Sequence, residues 1–305
     1  MPQPLKPRAL RPGDAVRVLS LSSPVAEERV KSGCDELVKL GYAPKLDRDE
    51  VLAKHGFFAG SAESRCSALK AALSEKDTRA VVCTRGGYGS NYLLDCLRVE
   101  GAVPKILCGF SDITSLHAYL WQKFRWVTLY GPMVAAGLDR GADAPEGYDS
   151  DSFTRALTES KQGWSIALKG DSINTGSGEG TLLGGCLNLI ETTIGTPWAL
   201  DARGSILILE DRAMKPWQVD KALMHLKQAG KLSGVTGIVL GDFPESNPPP
   251  GTENVKDVVR RILAPLGIPV VLGAPIGHTS RPLLTLPLGV QARLSADGDG
   301  KLKIL

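Results

Sequence analysis

Between residues 16 and 109 the chain repeats one pattern: a short apolar run, a break, then a segment whose apolar residues fall three or four apart. Val16-Arg17-Val18-Leu19-Ser20-Leu21 is the first such run and stops at Ser22-Ser23-Pro24. Residues 26–40 then carry Val30, Cys34, Leu37 and Leu40 at helical spacing and stop at Gly41, a residue suited to the left-handed turn that ends a helix. The alternation continues with strands predicted at 43–46, 80–83 and 106–109 and helices at 62–73 and 91–97. Strands joined through helices pair in parallel, because an antiparallel neighbour needs only a tight turn, and a parallel sheet must be covered on both faces by those helices. The expected fold is therefore α/β, with a parallel-sheet, Rossmann-like N-terminal domain. Sheets of this kind bind ligands beyond the carboxyl ends of their strands.

A chain of 305 residues is long for a single core, so two domains are expected. After a helix at 112–124 and an apolar run at 126–130, periodicity fades into Gly, Asp, Ala and Pro from about 141 to 150, and again around 171–180. We read 1–140 as the N-terminal domain, 141–172 as an interdomain crossing with a helical piece near 151–159 and a strand near 165–168, and 173–305 as a smaller, β-rich α/β domain. That second domain opens with a strand, a glycine corner and a helix over 180–190. Strands follow at 205–209, 237–241, 268–272, 283–286, 290–294 and 302–304, with helices at 219–228 and 255–266.

Lys and Arg number 36 against 33 Asp and Glu, a net charge of +3 with no basic stripe, which argues against nucleic acid as a partner. The six cysteines are scattered, with no C-x-x-C pair and no disulfide-framework spacing, so a reducing compartment fits. No stretch approaches the roughly 18 apolar residues of a membrane span, and the N-terminus has no apolar signal region. The expectation is a cytoplasmic protein without a membrane partner.

The sharpest local signal lies at Ile106-Leu107-Cys108-Gly109-Phe110-Ser111-Asp112-Ile113, where the apolar period changes from strand-like to helix-like at the serine. A hydroxyl on such a corner is lifted out of the sheet beside the free N–H groups of the helix, as in a nucleophile elbow, although Ile113 stands where the second glycine of G-x-S-x-G would be. A plain N-cap serine is the alternative. A serine nucleophile needs a base and a group to orient it. Of the four histidines, His55, His117, His225 and His278, the last occupies a loop between two β-like runs, where binding groups concentrate. Ile206-Leu207-Ile208-Leu209-Glu210-Asp211 sets two acids directly after four apolar residues, with Glu210 the better orienting group and capping of the next turn the alternative. Ser111, Glu210 and His278 follow the chain order of α/β hydrolases. The loop Thr84-Arg85-Gly86-Gly87-Tyr88-Gly89-Ser90 can bring bare backbone close to a ligand, and with the N–H of Asp112 could supply oxyanion donors.

The motifs TRGGYGS at 84–90, GFSDIT at 109–114, YGPM at 130–133, GGCLNL at 184–189, LILED at 207–211 and GHTSRPLLTLPLG at 277–289 together resemble the LD-carboxypeptidase family of serine peptidases. That family includes murein tetrapeptide carboxypeptidases and microcin C self-immunity peptidases. The resemblance implies a catalytic triad of Ser111, His278 and Glu210 and an oxyanion hole from the backbone near Gly87 and Asp112. It further implies a cleft between two domains, a homodimer and no metal or other cofactor. The implied reaction removes the terminal D-alanine of a muropeptide tetrapeptide during cell-wall recycling. Such a substrate is anionic, which makes Arg85 and Arg281, beside the two active loops, candidates to hold its carboxylate together with the Gly86 backbone. Two other readings are an immunity peptidase, which would stack an adenine on an aromatic side chain such as Trp164, and a non-catalytic binding module. Cys186 stands where the family often has Asn.

Overall fold

The computed structural model describes residues 3–99, 103–158 and 163–305. The chain divides into two compact units, Met1–Ser160 with Arg281–Pro287, and Lys161–Ser280 with Leu288–Leu305.

In the first unit β1 (Ala15–Leu19), β2 (Ala43–Lys45), β3 (Thr78–Cys83), β4 (Ile106–Gly109) and β5 (Thr128–Tyr130) are all parallel. Their order in the sheet is β2-β1-β3-β4-β5, and a sixth strand, β12 (Leu286–Leu288), joins the edge at β5. The chain moves one way from β1 to β2 and the other way from β3 onward, so the loops after β1 and β3 part from each other at the carboxyl edge. The helices α1 (Glu27–Lys39), α2 (Arg48–Val51), α3 (Ala62–Ser74), α4 (Thr114–Phe124) and α5 (Ser150–Thr158) complete this unit. Val16, Val18, Ala80, Val82, Ile106 and Cys108 of the strands pack with Val30 and Leu37 of α1 in one apolar cluster.

Three expectations change here. The helix expected at 91–97 is only a 3₁₀ turn over Ser90–Leu93: a segment this short gains little from helix nucleation, and Leu93, Leu94 and Leu97 are buried by successive turns instead. The segment 141–172, expected as a crossing with a helical piece and a strand, has both, but they are shared out between the units: Tyr148 and the α5 residues Phe153 and Leu157 belong to the first unit's apolar cluster, and the strand Ser165–Ala167 to the second unit. Cys66 and Cys96, whose spacing suggests no disulfide framework, are disulfide-linked, joining α3 to the chain just beyond the 3₁₀ turn, so the cysteines no longer argue for a reducing compartment.

The second unit is built on a mixed sheet with a parallel centre, β8 (Ser177–Cys186), β9 (Ser205–Glu210), β10 (Gly237–Gly241) and β11 (Val270–Ala274). Antiparallel strands flank it: β7 (Asp171–Asn174) on β11, and on β8 the series β13 (Gln291–Ser295), β14 (Lys301–Ile304) and β6 (Ser165–Ala167). The helices are α6 (Leu187–Thr192), α7 (Pro216–Gln228) and α8 (Val255–Leu263). The α/β fold with a parallel first sheet and a β-rich second unit matches the sequence reading. Among the described residues no helix is long and apolar enough to cross a membrane.

His117, on α4, is buried and fixes the end of β4 from within. Its Nε2 lies 2.9 Å from the Gly109 carbonyl oxygen and its Nδ1 2.8 Å from Thr128 Oγ1. A carbonyl only accepts, so the proton sits on Nε2 and the threonine hydroxyl donates to Nδ1. Burial lowers the pKa of this ring to about 4. The unfolded chain therefore takes up the proton first as pH falls, and the stability tied to neutral His117, whole above the ordinary 6.5, is lost on descent to about 4. The expected loss is about 3 kcal/mol, of which most should vanish in His117→Gln. Urea unfolding of both proteins at pH 7 and pH 4 checks it: an equal acid sensitivity in the two would refute the assignment.

Candidate active site

Every site residue foreseen in the first unit stands at the carboxyl edge of its sheet. Ser111 follows β4 and opens a 3₁₀ turn over Ser111–Ile113 that runs into α4. Its φ is +61°, the left-handed region that L residues avoid at a cost of about 1–2 kcal/mol. An N-cap serine takes an extended conformation, so the strain itself separates this corner from an ordinary cap. The Ser111 N–H donates to the Tyr130 hydroxyl at 3.2 Å, tying the corner to the end of β5.

The glycine loop lies against this serine. A Cβ at Gly86 would fall 2.8 Å from Ser111 Cβ and 3.0 Å from its Oγ, so only glycine permits this approach. The loop is anchored to the segment after β1: Ser23 N–H donates to the Gly86 carbonyl at 3.3 Å, and Tyr88 N–H donates to Ser23 Oγ at 3.1 Å. Gly87 is exposed with φ +111°, and a side chain there would strike Ser23 Oγ.

Two residues overlooked as side chains hold this arrangement together. Asp112, only 2% exposed, accepts from Ser22 Oγ at 2.5 Å and from the Ser90 N–H at 2.8 Å, while its carbonyl accepts from Ser90 Oγ at 2.5 Å. One carboxylate thus joins the loops after β1, β3 and β4. Arg65 of α3, also buried, donates to the carbonyls of Leu21 and Gly89 at 2.7 and 2.8 Å. An acid directly after Ser111 was visible in the sequence, but the surplus of polar contacts that buries it was not. Arg85 is exposed and its guanidinium donates to the Pro24 carbonyl at 3.3 Å. Arg281 is partly buried and belongs to the first unit, not to the C-terminal domain in which 173–305 would place it.

The second unit brings its acid and its histidine together. Glu210 ends β9, fully buried, and its Oε2 accepts both from the backbone N–H of His278, at 2.9 Å, and from Nδ1 at 2.8 Å. Since a carboxylate supplies no proton, Nδ1 carries the hydrogen and Nε2 of the neutral ring keeps its lone pair. Burial works to lower the His278 pKa, but the charge and hydrogen bond of Glu210 outweigh it and raise the value above 6.5. Gly277 has φ +61°, and a Cβ there would lie 2.2 Å from Glu210 Cδ, so the acid and its loop fit only around a glycine. Thr279 donates to the Asp242 carboxylate and pins the far side of the same loop.

Asp211 has the structural role weighed for these acids: it accepts from the N–H of Asn188 at 2.9 Å, near the start of α6, from Arg212 N–H at 2.8 Å and from Cys186 Sγ at 3.3 Å. Burial raises its pKa, and burial beside Glu210 and Asp211 raises that of Cys186 far more. Cys186 is thus a buried thiol in contact with an acid. His225 is half exposed beside Glu191, and His55 stays in an exposed loop.

Sequence profiles of the LD-carboxypeptidase N-terminal and C-terminal domains match residues 16–131 and 179–294. The chain belongs to the LD-carboxypeptidase family. A Bacillus subtilis member named "Probable murein peptide carboxypeptidase" is 32% identical over 95% of this chain and 91% of its own. A muramoyltetrapeptide carboxypeptidase from Oxalobacter formigenes superposes with TM-score 0.83 at 26% identity, covering 95% of this chain and 98% of its own. An MccF-like protein from Bacillus anthracis gives TM-score 0.87 at 26% identity over 98% and 99%. As an LD-carboxypeptidase family member the chain is a serine-type peptidase.

Proposed function

We propose that the protein is a murein tetrapeptide LD-carboxypeptidase, with Ser111 as nucleophile, His278 as general base and Glu210 as the group that orients the base. The observation that carries this reading is the pair of hydrogen bonds from His278 to the buried Glu210, which leaves Nε2 as the proton acceptor. Ser111 Oγ attacks the carbonyl carbon ahead of the terminal D-alanine while its proton passes to His278 Nε2. The carbonyl oxygen, now negative, is held by backbone N–H groups of Gly87 and Asp112. The tetrahedral adduct expels D-alanine, whose amine takes the proton from His278, and water then releases the acyl group by the same base. Arg85, Arg281 and the Gly86 backbone are proposed to hold the substrate.

The names of the Bacillus subtilis and Oxalobacter formigenes relatives support murein as the source of the substrate. We extend the proposal to a cytoplasmic, homodimeric enzyme of cell-wall recycling. Similarity to the MccF-like structure supports the rival reading, cleavage of an aminoacyl nucleotide. Trp164, the aromatic that reading needs, is only 6% exposed and offers no open face. The expected result is release of D-alanine from an L-Ala-D-Glu-diamino acid-D-Ala tetrapeptide, with little turnover of an aminoacyl-sulfamoyl adenosine. The reverse preference would transfer the protein to the immunity class.

A further inference from the structure

Next to the hydrogen-bonded shell of Ser111, the first unit carries four aromatic rings in contact. Phe57, Tyr88 and Tyr92 are 69%, 45% and 52% exposed, and Phe58 lies partly buried among them. Ring centroids are 5.1 Å apart for Phe57–Phe58, 5.7 Å for Phe58–Tyr88, 5.4 Å for Phe58–Tyr92 and 6.1 Å for Tyr88–Tyr92. Single exposed rings are common on protein surfaces, but a contiguous group marks a surface that something covers.

The rings are fixed to the backbone that frames the serine. Tyr88 is bonded to Ser23, Tyr92 N–H donates to the Gly89 carbonyl at 3.3 Å, and Ala59 N–H donates to the Ser22 carbonyl at 2.9 Å. The Arg65 guanidinium, which holds Leu21 and Gly89, lies 5.1 Å from the centre of the Phe58 ring. Tyr88 is two residues from Gly86, which touches Ser111, so their α-carbons are separated by at most about 7 Å. Counted from Gly86 beside the nucleophile, the Tyr88 backbone therefore lies within the roughly 10 Å that three extended peptide residues span.

Resting on the murein reading, we propose that Phe57, Phe58, Tyr88 and Tyr92 form a carbohydrate platform that holds the muramoyl sugar of the substrate. In a murein tetrapeptide the sugar lies three residues ahead of the scissile bond, matching that reach. A pyranose presents a C–H face to an aromatic ring and hydroxyl and acetamido groups at its rim, where the hydroxyls of Tyr88 and Tyr92 can bond them. Interplanar angles of 75°, 35°, 68° and 83° leave no two parallel faces to sandwich a flat purine.

The test compares Phe57→Ala and Tyr92→Ala with the unaltered enzyme on a muramoyl tetrapeptide and on the free tetrapeptide. Both side chains are largely exposed, so the fold should survive. KM for the sugar-bearing substrate should rise about tenfold in each variant with kcat unchanged, while both constants for the free tetrapeptide stay put. Equal effects on the two substrates, or none, would overturn the platform. Binding of the disaccharide N-acetylglucosaminyl-N-acetylmuramic acid, measured calorimetrically, decides the matter without turnover. If no tetrapeptide is hydrolysed yet the disaccharide binds and the variants lose it, the murein peptidase reading falls and the platform stands. Binding of adenosine monophosphate but not of the disaccharide would overturn the platform.

Discussion

Ser111→Ala is expected to lower kcat for D-alanine release by four to six orders of magnitude while leaving the fold intact. The size follows from losing the only covalent step: without Oγ, what remains is positioning and oxyanion stabilisation, which in serine hydrolases retains on the order of a thousandfold over water. Stability should hardly change, because alanine meets the same resistance to φ +61° as serine and keeps the Cβ that packs against Gly86. A second variant separates catalysis from architecture. Ser111→Gly should be equally inactive yet about 1 kcal/mol more stable than Ser111→Ala, since glycine relaxes the left-handed backbone. Thermal unfolding of both variants beside the rate of D-alanine release reads the two effects. Turnover within tenfold of the unaltered enzyme would remove Ser111 from the chemistry, and a less stable glycine variant would remove strain from the account.

How far this was visible in the residues depended on whether a side-chain pattern survived the structural need for glycine. The parallel strands β1, β3 and β4 and the helices α1, α3 and α7 bury continuous apolar faces, and their periods point to them directly. The start of β8 was hidden, being Ser177-Gly178-Glu179-Gly180. A Cβ at Gly178 would fall 2.0 Å from the Thr236 carbonyl oxygen and one at Gly180 2.5 Å from that of Gly204, so close backbone neighbours demand the residues that erase the strand pattern. At the site, Glu210 and His278 were legible because an acid after four apolar residues needs a partner and the loop histidine was available. The clamp made by Asp112, Ser22 and Ser90 was not, for it joins residues up to 90 positions apart through contacts that leave no local period. The return of 281–287 to the first unit was equally silent, since Leu283 and Leu284 suit either core.

Glu210→Gln carries the second large effect, and its cause is a lost negative charge. Both bonds end on Oε2, so an amide oxygen in its place can still accept from the His278 backbone N–H and from Nδ1, but the amide carries no charge. The imidazolium that forms when Nε2 takes the serine's proton then has no carboxylate beside it to stabilise its charge. Loss of the triad carboxylate in a serine protease costs about 10⁴ in kcat, part of it through a wrong tautomer, and a fall of about 10²–10⁴ is expected here. The pH profile provides the independent reading. His278 in the unaltered protein is raised above 6.5 against its own burial because Glu210 favours the charged ring. Since only the neutral ring can act as base, kcat/KM should climb through a pKa above 6.5, and the residual activity of Glu210→Gln should climb through a lower one. The stability linkage has the opposite sense: a raised folded pKa means the pair's contribution is complete below 6.5 and is lost as pH rises through the folded value. Unfolding midpoints should therefore differ most between the two proteins on the acid side and converge toward alkaline pH. If the variant keeps more than a tenth of the activity, or its acid limb coincides with that of the unaltered enzyme, Glu210 does not orient the base.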